Sequence, residues 1–354
     1  MKARFSYLFY WALLPIVGLV VSGCKPDADV VAVEEVPGTL VPGNFPEPVY
    51  GVEKNPPTRA AFELGRSLFY DSRLSRTGEV SCGSCHQQFV AFSHAGHQIS
   101  HGVNDRLGIR NSPALQNLRW KPNFFWDGGP SNIETLPLAP ITNPVEMDET
   151  LDNVLRKLNA DASYQRRFQQ VFGGSGPIDS YQFLRALAQF TAALTSSNSR
   201  YDKYARQESG GTLTASEVRG LAVLRQKCSS CHAGELFTDE SFRNNGLDRR
   251  FPLDSGRAHI TGGSRDVGRF KVPSLRNVAL TGPYMHDGRF TTLEAVLDHY
   301  DHGMVESVTL DPQLRRSGLG PGIALAPQER QDLLAFLHTL TDEQFLRNPQ
   351  LAEQ

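Results

Sequence analysis

The 354-residue chain is sparing with the residues that most readily announce chemistry, having five cysteines, four methionines and three tryptophans. Charge is balanced as well: 36 Lys and Arg against 38 Asp and Glu leave a formal net charge of −2. Without a basic stripe, nucleic acid is excluded as a partner, and nothing favours adhesion to a membrane surface through charge. No alternating apolar and polar run is long enough for a large sheet, which points to a mainly α fold with long ordered loops. The N-terminal apolar run, Phe5 to Val21, is short for a spanning helix and is interrupted by Pro15. The chain is long enough for two domains, each with its own core.

The little cysteine there is lies in two pentapeptides, Cys82-Gly83-Ser84-Cys85-His86 and Cys228-Ser229-Ser230-Cys231-His232. Two thiols at this spacing can both form thioethers with the vinyl groups of one porphyrin, and the adjoining histidine then sits under the iron. A four-cysteine zinc site usually places its halves about 15 to 20 residues apart, whereas 146 positions separate these motifs. A thioredoxin-like dithiol would leave the histidines unexplained. Each motif therefore reads as a covalent c-type haem site, one per domain. A haem with one histidine ligand is either capped on its other face, and carries electrons, or open there, and binds small molecules. The chain has ten histidines and, once Met1 is lost with the signal, Met147, Met285 and Met304 as thioether candidates.

Residues 1–24, with Lys2 and Arg4 ahead of the apolar run and Val21-Ser22-Gly23-Cys24 after it, read as an export signal. Its end resembles the lipobox of bacterial lipoproteins, which accounts for Cys24 as an acylated N-terminus; an uncleaved anchor is the alternative. Either places the body outside the cytoplasm, where c-type haem is attached. Residues 25–57 gather seven of the 22 prolines and read as an extended, semi-rigid tether. The first haem domain is expected over residues 58–205. Ala61, Leu64 and Leu68 mark a helical face before the first motif, and Leu151, Val154, Leu155 and Leu158, then Leu184, Leu187 and Leu194, mark later ones. The second domain is expected over residues 206–345. Capping-box patterns, Thr214 with Glu217 and Thr291 with Glu294, open its helices, the latter presenting Leu293, Val296, Leu297 and Tyr300 on one face. The last helix follows Pro327.

Four further segments carry a resemblance: Phe125-Trp126-Asp127-Gly128, the run from Pro140 to Met147, the run from Lys271 to Val278, and the run from Pro283 to Gly288. Together with both haem motifs, over about residues 58–340, they resemble the bacterial di-haem cytochrome c peroxidase and MauG family. The resemblance implies two cytochrome c-like haem domains, peroxide chemistry at the first haem, electron transfer at the second and a calcium ion between the domains. It assigns Trp126 as the electron conduit, Glu146 as the distal acid–base residue, and Asn111, Thr281 and Pro283 as calcium ligands, the last two through their carbonyls. Read alone, Trp126 beside Phe124 and Phe125 would be core, Glu146 a solvated loop residue and the calcium set turn residues. A carboxylate raised by burial can both take and give the protons that splitting HOOH requires.

Departures from the family pattern set the subtype. Tyr300 stands where ordinary peroxidases have methionine and the MauG branch has tyrosine, as sixth ligand of the second haem; Met285 and Met304 are the alternatives. Tyrosinate stabilises ferric iron, whereas methionine raises the potential. His101 matches the histidine that caps the first haem of resting peroxidases, with His94 and His97 as rivals. Leu136 replaces the distal glutamine, and Gln226 stands where MauG has the surface tryptophan it uses on its protein substrate. The implied protein is a periplasmic di-haem peroxidase, lipid-anchored at Cys24, that reduces hydrogen peroxide to water. Electrons come from a small donor such as a cytochrome c or cupredoxin and enter at the C-terminal haem; a homodimer is left open. The alternatives are a MauG-like oxidase acting on a protein or organic substrate, and a non-catalytic di-haem electron carrier with both haems capped.

Overall fold

The computed structural model describes Met1, residues 36–316 and residues 320–354. The export-signal and lipid-anchor readings, Cys24 included, fall outside the described residues. No helix among those described is long and apolar enough to cross a membrane.

In chain order the helices are α1 Arg59–Tyr70, α2 Cys82–Cys85, α3 Leu138–Thr142, α4 Leu151–Asn159, α5 Ala162–Phe172, α6 Ser180–Ala193, α7 Arg200–Ala205, α8 Ala215–Lys227, α9 Ala258–Thr261, α10 Leu293–Asp298, α11 Pro327–His338 and α12 Glu343–Arg347. Strand is confined to two-residue pairs, β1 Phe242–Arg243 antiparallel to β2 Phe270–Lys271 and β3 Arg315–Arg316 antiparallel to β4 Gly320–Pro321. The fold is therefore mainly helical, with loops between.

Two helix pairs organise it, and the first helix of each precedes a haem motif. Thr58 caps α1 by accepting the Ala61 N–H, and the Phe62, Leu64, Leu68 and Phe69 face packs on Phe183, Leu187 and Phe190 of α6. In the second pair, Leu221 and Leu224 of α8 meet Leu333, Phe336 and Leu337 of α11. Each pair crosses at a glycine. A Cβ on Gly65 would lie 2.0 Å from the Ala186 carbonyl oxygen, and one on Gly220 would lie 1.9 Å from that of Asp332, so any side chain there would push the helices apart. Burying one large apolar side chain contributes about 1.5–3 kcal/mol, so these two seams dominate the packing. Phe345, Leu346 and Leu351 return from the C-terminus to the α1–α6 core.

The Thr214–Glu217 box forms as the sequence suggests, each side chain bonding the other's backbone N–H. The Thr291–Glu294 box does not. Thr292, extended at φ −130°, is the cap and bonds Ala295 N–H, which leaves Glu294 one position short of the place from which it could reach back. α10 then gives way to a π-helical turn, His299–Gly303, so Tyr300 leaves the Leu293–Leu297 face and packs beside Met304, Leu310 and Leu314.

The described part of the proline-rich stretch, residues 36–57, carries no helix or strand yet is fastened down. Val36 and Phe45 are buried, and the Trp120 indole donates to Pro46 O and Arg119 to Gly38 O.

Between the two cores lies a buried polar knot built on the Lys271–Val278 run. Arg276, wholly buried, forms a two-pronged ion pair with Asp202 at 2.8 and 2.9 Å and also donates to Glu235 O. Burial opposes ionisation of Asp202, and the guanidinium overrides it, holding the carboxyl below the ordinary range. Asn277 donates to Ser196 Oγ and accepts from Asp342 N–H, tying the two parts of the chain together.

Candidate active site

The first motif occupies α2, a single helical turn, and His86 follows it with its N–H on Cys82 O. The His86 ring places Nδ1 2.8 Å from Phe92 O and 3.3 Å from Ser112 Oγ. Ala91 and Phe92 both have left-handed backbone, turning the chain so that this carbonyl faces the ring. A ring N–H spent on a carbonyl fixes the tautomer and leaves Nε2 as a bare ligand. Burial pushes His86 down to about 4, so its imidazole is neutral, and pushes the Cys82 and Cys85 thiols up to about 12 and about 11. The Glu146 charge adds to the rise at both thiols.

The second motif repeats the device. α8 delivers Cys228, the His232 N–H bonds Cys228 O, and Nδ1 lies 3.1 Å from the carbonyl of Phe237, another left-handed residue. Burial lowers His232 too, and pushes the Cys228 thiol up to about 11.

Beside the first motif a cavity of about 240 Å³ is lined by Ser84, Cys85, His94, His101, Gly102 and Asn104, among others. Glu146 keeps solvent-accessible surface, accepts from Asn143 Nδ2 at 2.7 Å and has its carbonyl held by Val103 N–H. The protein packed around it raises its carboxyl above the ordinary range, and the Asn143 bond only partly offsets this. His101 groups with His94 and His97, its Nδ1 3.3 Å from Asp105. Leu136 is core, packed with Leu118, Phe124 and Ile133, and Gln226 is exposed on α8.

Trp126, half-buried, lies on a bonded path between the two histidines. Ser112 Oγ touches His86, and the carbonyl of the adjacent Asn111 accepts the Trp126 indole N–H at 2.9 Å. The Trp126 carbonyl accepts Lys271 N–H at 2.8 Å, Val272 O accepts the Thr238 hydroxyl at 2.6 Å, and Thr238 adjoins Phe237, whose carbonyl holds His232.

At the second motif, burial pushes the Tyr300 hydroxyl up to about 12, and both Cys231 and Cys228 act on it electrostatically. The Asn245 amide lies 3.4 Å from the Tyr300 hydroxyl and 3.4 Å from Met285 Sδ, so these two rival ligands meet at one group. Met304 is buried in the neighbouring apolar cluster, and Met147 in the first core. Of the expected calcium set, Asn111 sits near the Pro283–Gly288 run, its N–H on His286 O, but its side-chain amide donates to His97 O and Gln98 O. Among the described residues no hydrogen bond joins it to Thr281 or Pro283.

Residues 59–210 match the family model for the di-haem cytochrome c peroxidases. The chain is 36% identical over 308 residues to the methylamine utilization protein MauG of Methylorubrum extorquens, covering 84% of this chain and 83% of that one. The chain belongs to the di-haem cytochrome c peroxidase and MauG family. It is 30% identical over 341 residues to the cytochrome c551 peroxidase of Pseudomonas aeruginosa, covering 94% and 93% of the two chains. The crystal structure of a MauG-like protein associated with microbial copper homeostasis superposes with a TM-score of 0.78 at 35% identity, covering 88% of this chain and 97% of that one. The chain is thus an oxidoreductase of the di-haem peroxidase class, and membership implies two c-type haems. The residues present fit them: two thiols and one neutral, carbonyl-anchored histidine at each motif.

Several contributors carry no signal in the sequence. Phe92 and Phe237 act through backbone carbonyls, and Ser112 and Asn245 are single polar residues in loops. Only the Lys271–Val278 run, flagged by resemblance, pointed towards the Arg276 knot.

Proposed function

We propose that the protein is a periplasmic peroxidase that reduces hydrogen peroxide to two waters, using two protons and two electrons from a small protein donor. Haem held through His86 and His232 supplies a redox-active iron at each site. Glu146 takes a proton from one peroxide oxygen and returns it to the other, so that the departing oxygen leaves as water. Asn143 orients the Glu146 carboxylate for this transfer. Trp126 couples the sites, and Tyr300 closes the second. The single observation that carries the reading is geometric: His86, anchored through Nδ1 on Phe92 O, follows a motif whose Cys85 lines a cavity with Gly102, against which the Glu146 backbone packs.

Residues 58–205 and 206–345 form the peroxidatic and electron-entry domains in this reading, and Cys24 anchors the mature chain to a membrane. Asn111 Oδ1, with the Thr281 and Pro283 carbonyls, offers the oxygen donors that calcium prefers, although a full shell needs further ligands or waters. Peroxide-dependent oxidation of a reduced cytochrome c by the haem-loaded protein tests the proposal, and absence of turnover with any reduced cytochrome or dye would refute it. A MauG-like oxidase is the second reading, favoured by Tyr300 at the second site and by the 36% identity to MauG. It predicts peroxide-driven oxidation of a protein or organic substrate without a cytochrome donor.

A further inference from the structure

The loop after the first motif carries three side chains that peroxide reduction does not use. His94, His97 and His101 each bring a ring nitrogen to within 4.8 Å of the other two. Their rings lie 4.0, 5.1 and 5.7 Å apart. In every ring Nδ1 is already engaged: His94 with Ser100 Oγ at 3.3 Å, His97 with Ala95 O at 2.9 Å and His101 with the Asp105 carboxylate at 3.3 Å. Among the described residues no hydrogen bond engages any of the three Nε2 atoms. Histidines that ligate metals show this pattern, one nitrogen on a carboxylate, carbonyl or hydroxyl and the other left for the ion. The backbone is held in place as well, by Asn111 on the His97 and Gln98 carbonyls and by the bridge of His101 to Leu107.

We propose that His94, His97 and His101 form a third metal site, for a nitrogen-preferring divalent transition-metal ion, zinc(II) or copper(II). Three imidazoles suit these ions, whereas calcium and magnesium demand oxygen donors. Glu79 and Asp105 line the adjoining cavity with His94 and His101, adding negative charge for a cation and room for a fourth ligand. At metal–nitrogen distances of about 2.0–2.1 Å a tetrahedral ion holds its ligands about 3.3 Å apart, so the rings, which bring nitrogens within 4.8 Å of one another, must turn inward to close on it. His97 is exposed and His101 half-buried, which leaves them free to do so. A His101 engaged here is unavailable as a cap for the first haem, so occupancy of the site would decide whether that face stays open.

The test is equilibrium dialysis of the haem-loaded protein against zinc(II) and, separately, copper(II), with metal analysis. One equivalent beyond the two haem irons is expected, and bound copper should show nitrogen splitting in its electron paramagnetic resonance signal. Removing an outer-shell partner typically costs 10–100-fold in metal affinity; Asp105→Asn should weaken binding by about tenfold, and His97→Ala, which removes a ligand, by about 100-fold or more, both variants keeping their two covalent haems. No third metal at stoichiometric zinc or copper, or binding that survives His97→Ala, would overturn the proposal.

Discussion

Replacing Glu146 by glutamine preserves its size, its ability to accept from Asn143 Nδ2 and the backbone bond to Val103, so the side chain should stay in place. It loses only the capacity to carry a proton. General acid–base catalysis contributes typically about 10²–10⁴-fold, so peroxide turnover should fall by about 10² or more, with both haem spectra intact. The raised carboxyl adds a pH signature. If the reaction starts from the carboxylate, wild-type turnover falls as pH drops through that raised pKa, and Glu146→Gln loses this acid limb along with the rate. Stability moves the other way. Between the ordinary carboxylate value and the raised folded one, the folded state binds more protons than the unfolded state, so the stability tied to protonated Glu146 is lost as pH rises through the window. Glutamine removes that dependence, and the unfolding temperature at neutral pH should be unchanged or higher. Steady-state peroxide assays across pH, paired with thermal unfolding, check both. Near-wild-type turnover, or an acid limb that persists in the variant, would refute the role.

Three further outcomes follow from the geometry. Asp202→Asn leaves Arg276 buried without its counter-charge, a loss of about 3–5 kcal/mol that denaturant unfolding should detect and that would be absent if the pair were solvent-exposed. Tyr300→Phe should raise the reduction potential of the second haem and alter its ferric spectrum, with Met285 the replacement ligand at hand through Asn245; an unchanged potential and spectrum would remove Tyr300 from the iron. Trp126→Phe should slow electron transfer between the sites while leaving both haem spectra as they were, and an unaltered single-turnover rate would place the conduit elsewhere.

What could be read from the sequence was chemistry confined to short spacing. The two Cys-x-x-Cys-His motifs are legible because thioether attachment demands contiguous residues, α1 and α6 because their buried faces repeat at the helical period, and α8 because its capping box marks its start. The proline-rich stretch reads as a tether because its contacts to Arg119 and Trp120 are distant in sequence. The Thr291 cap failed by one residue, since Thr291 and Thr292 carry the same side chain and only backbone conformation chooses between them. Tyr300 fitted a regular helical face, yet the π turn sends it to a different cluster, and nothing in the local composition marks that change. The carbonyls of Phe92 and Phe237 are beyond any side-chain pattern, and Asp202 with Arg276, 74 positions apart, meets only in the folded chain.

In the proposed peroxidase the first haem site would be open on the side of Glu146 and the second closed by Tyr300. Electron paramagnetic resonance of the all-ferric protein, followed by rapid mixing with peroxide, tests this most directly. One high-spin and one low-spin haem, with peroxide consumed without prior reduction, is the predicted result. Two low-spin ferric haems, inert to peroxide until the protein is half-reduced, would contradict it and place His101 on the first iron.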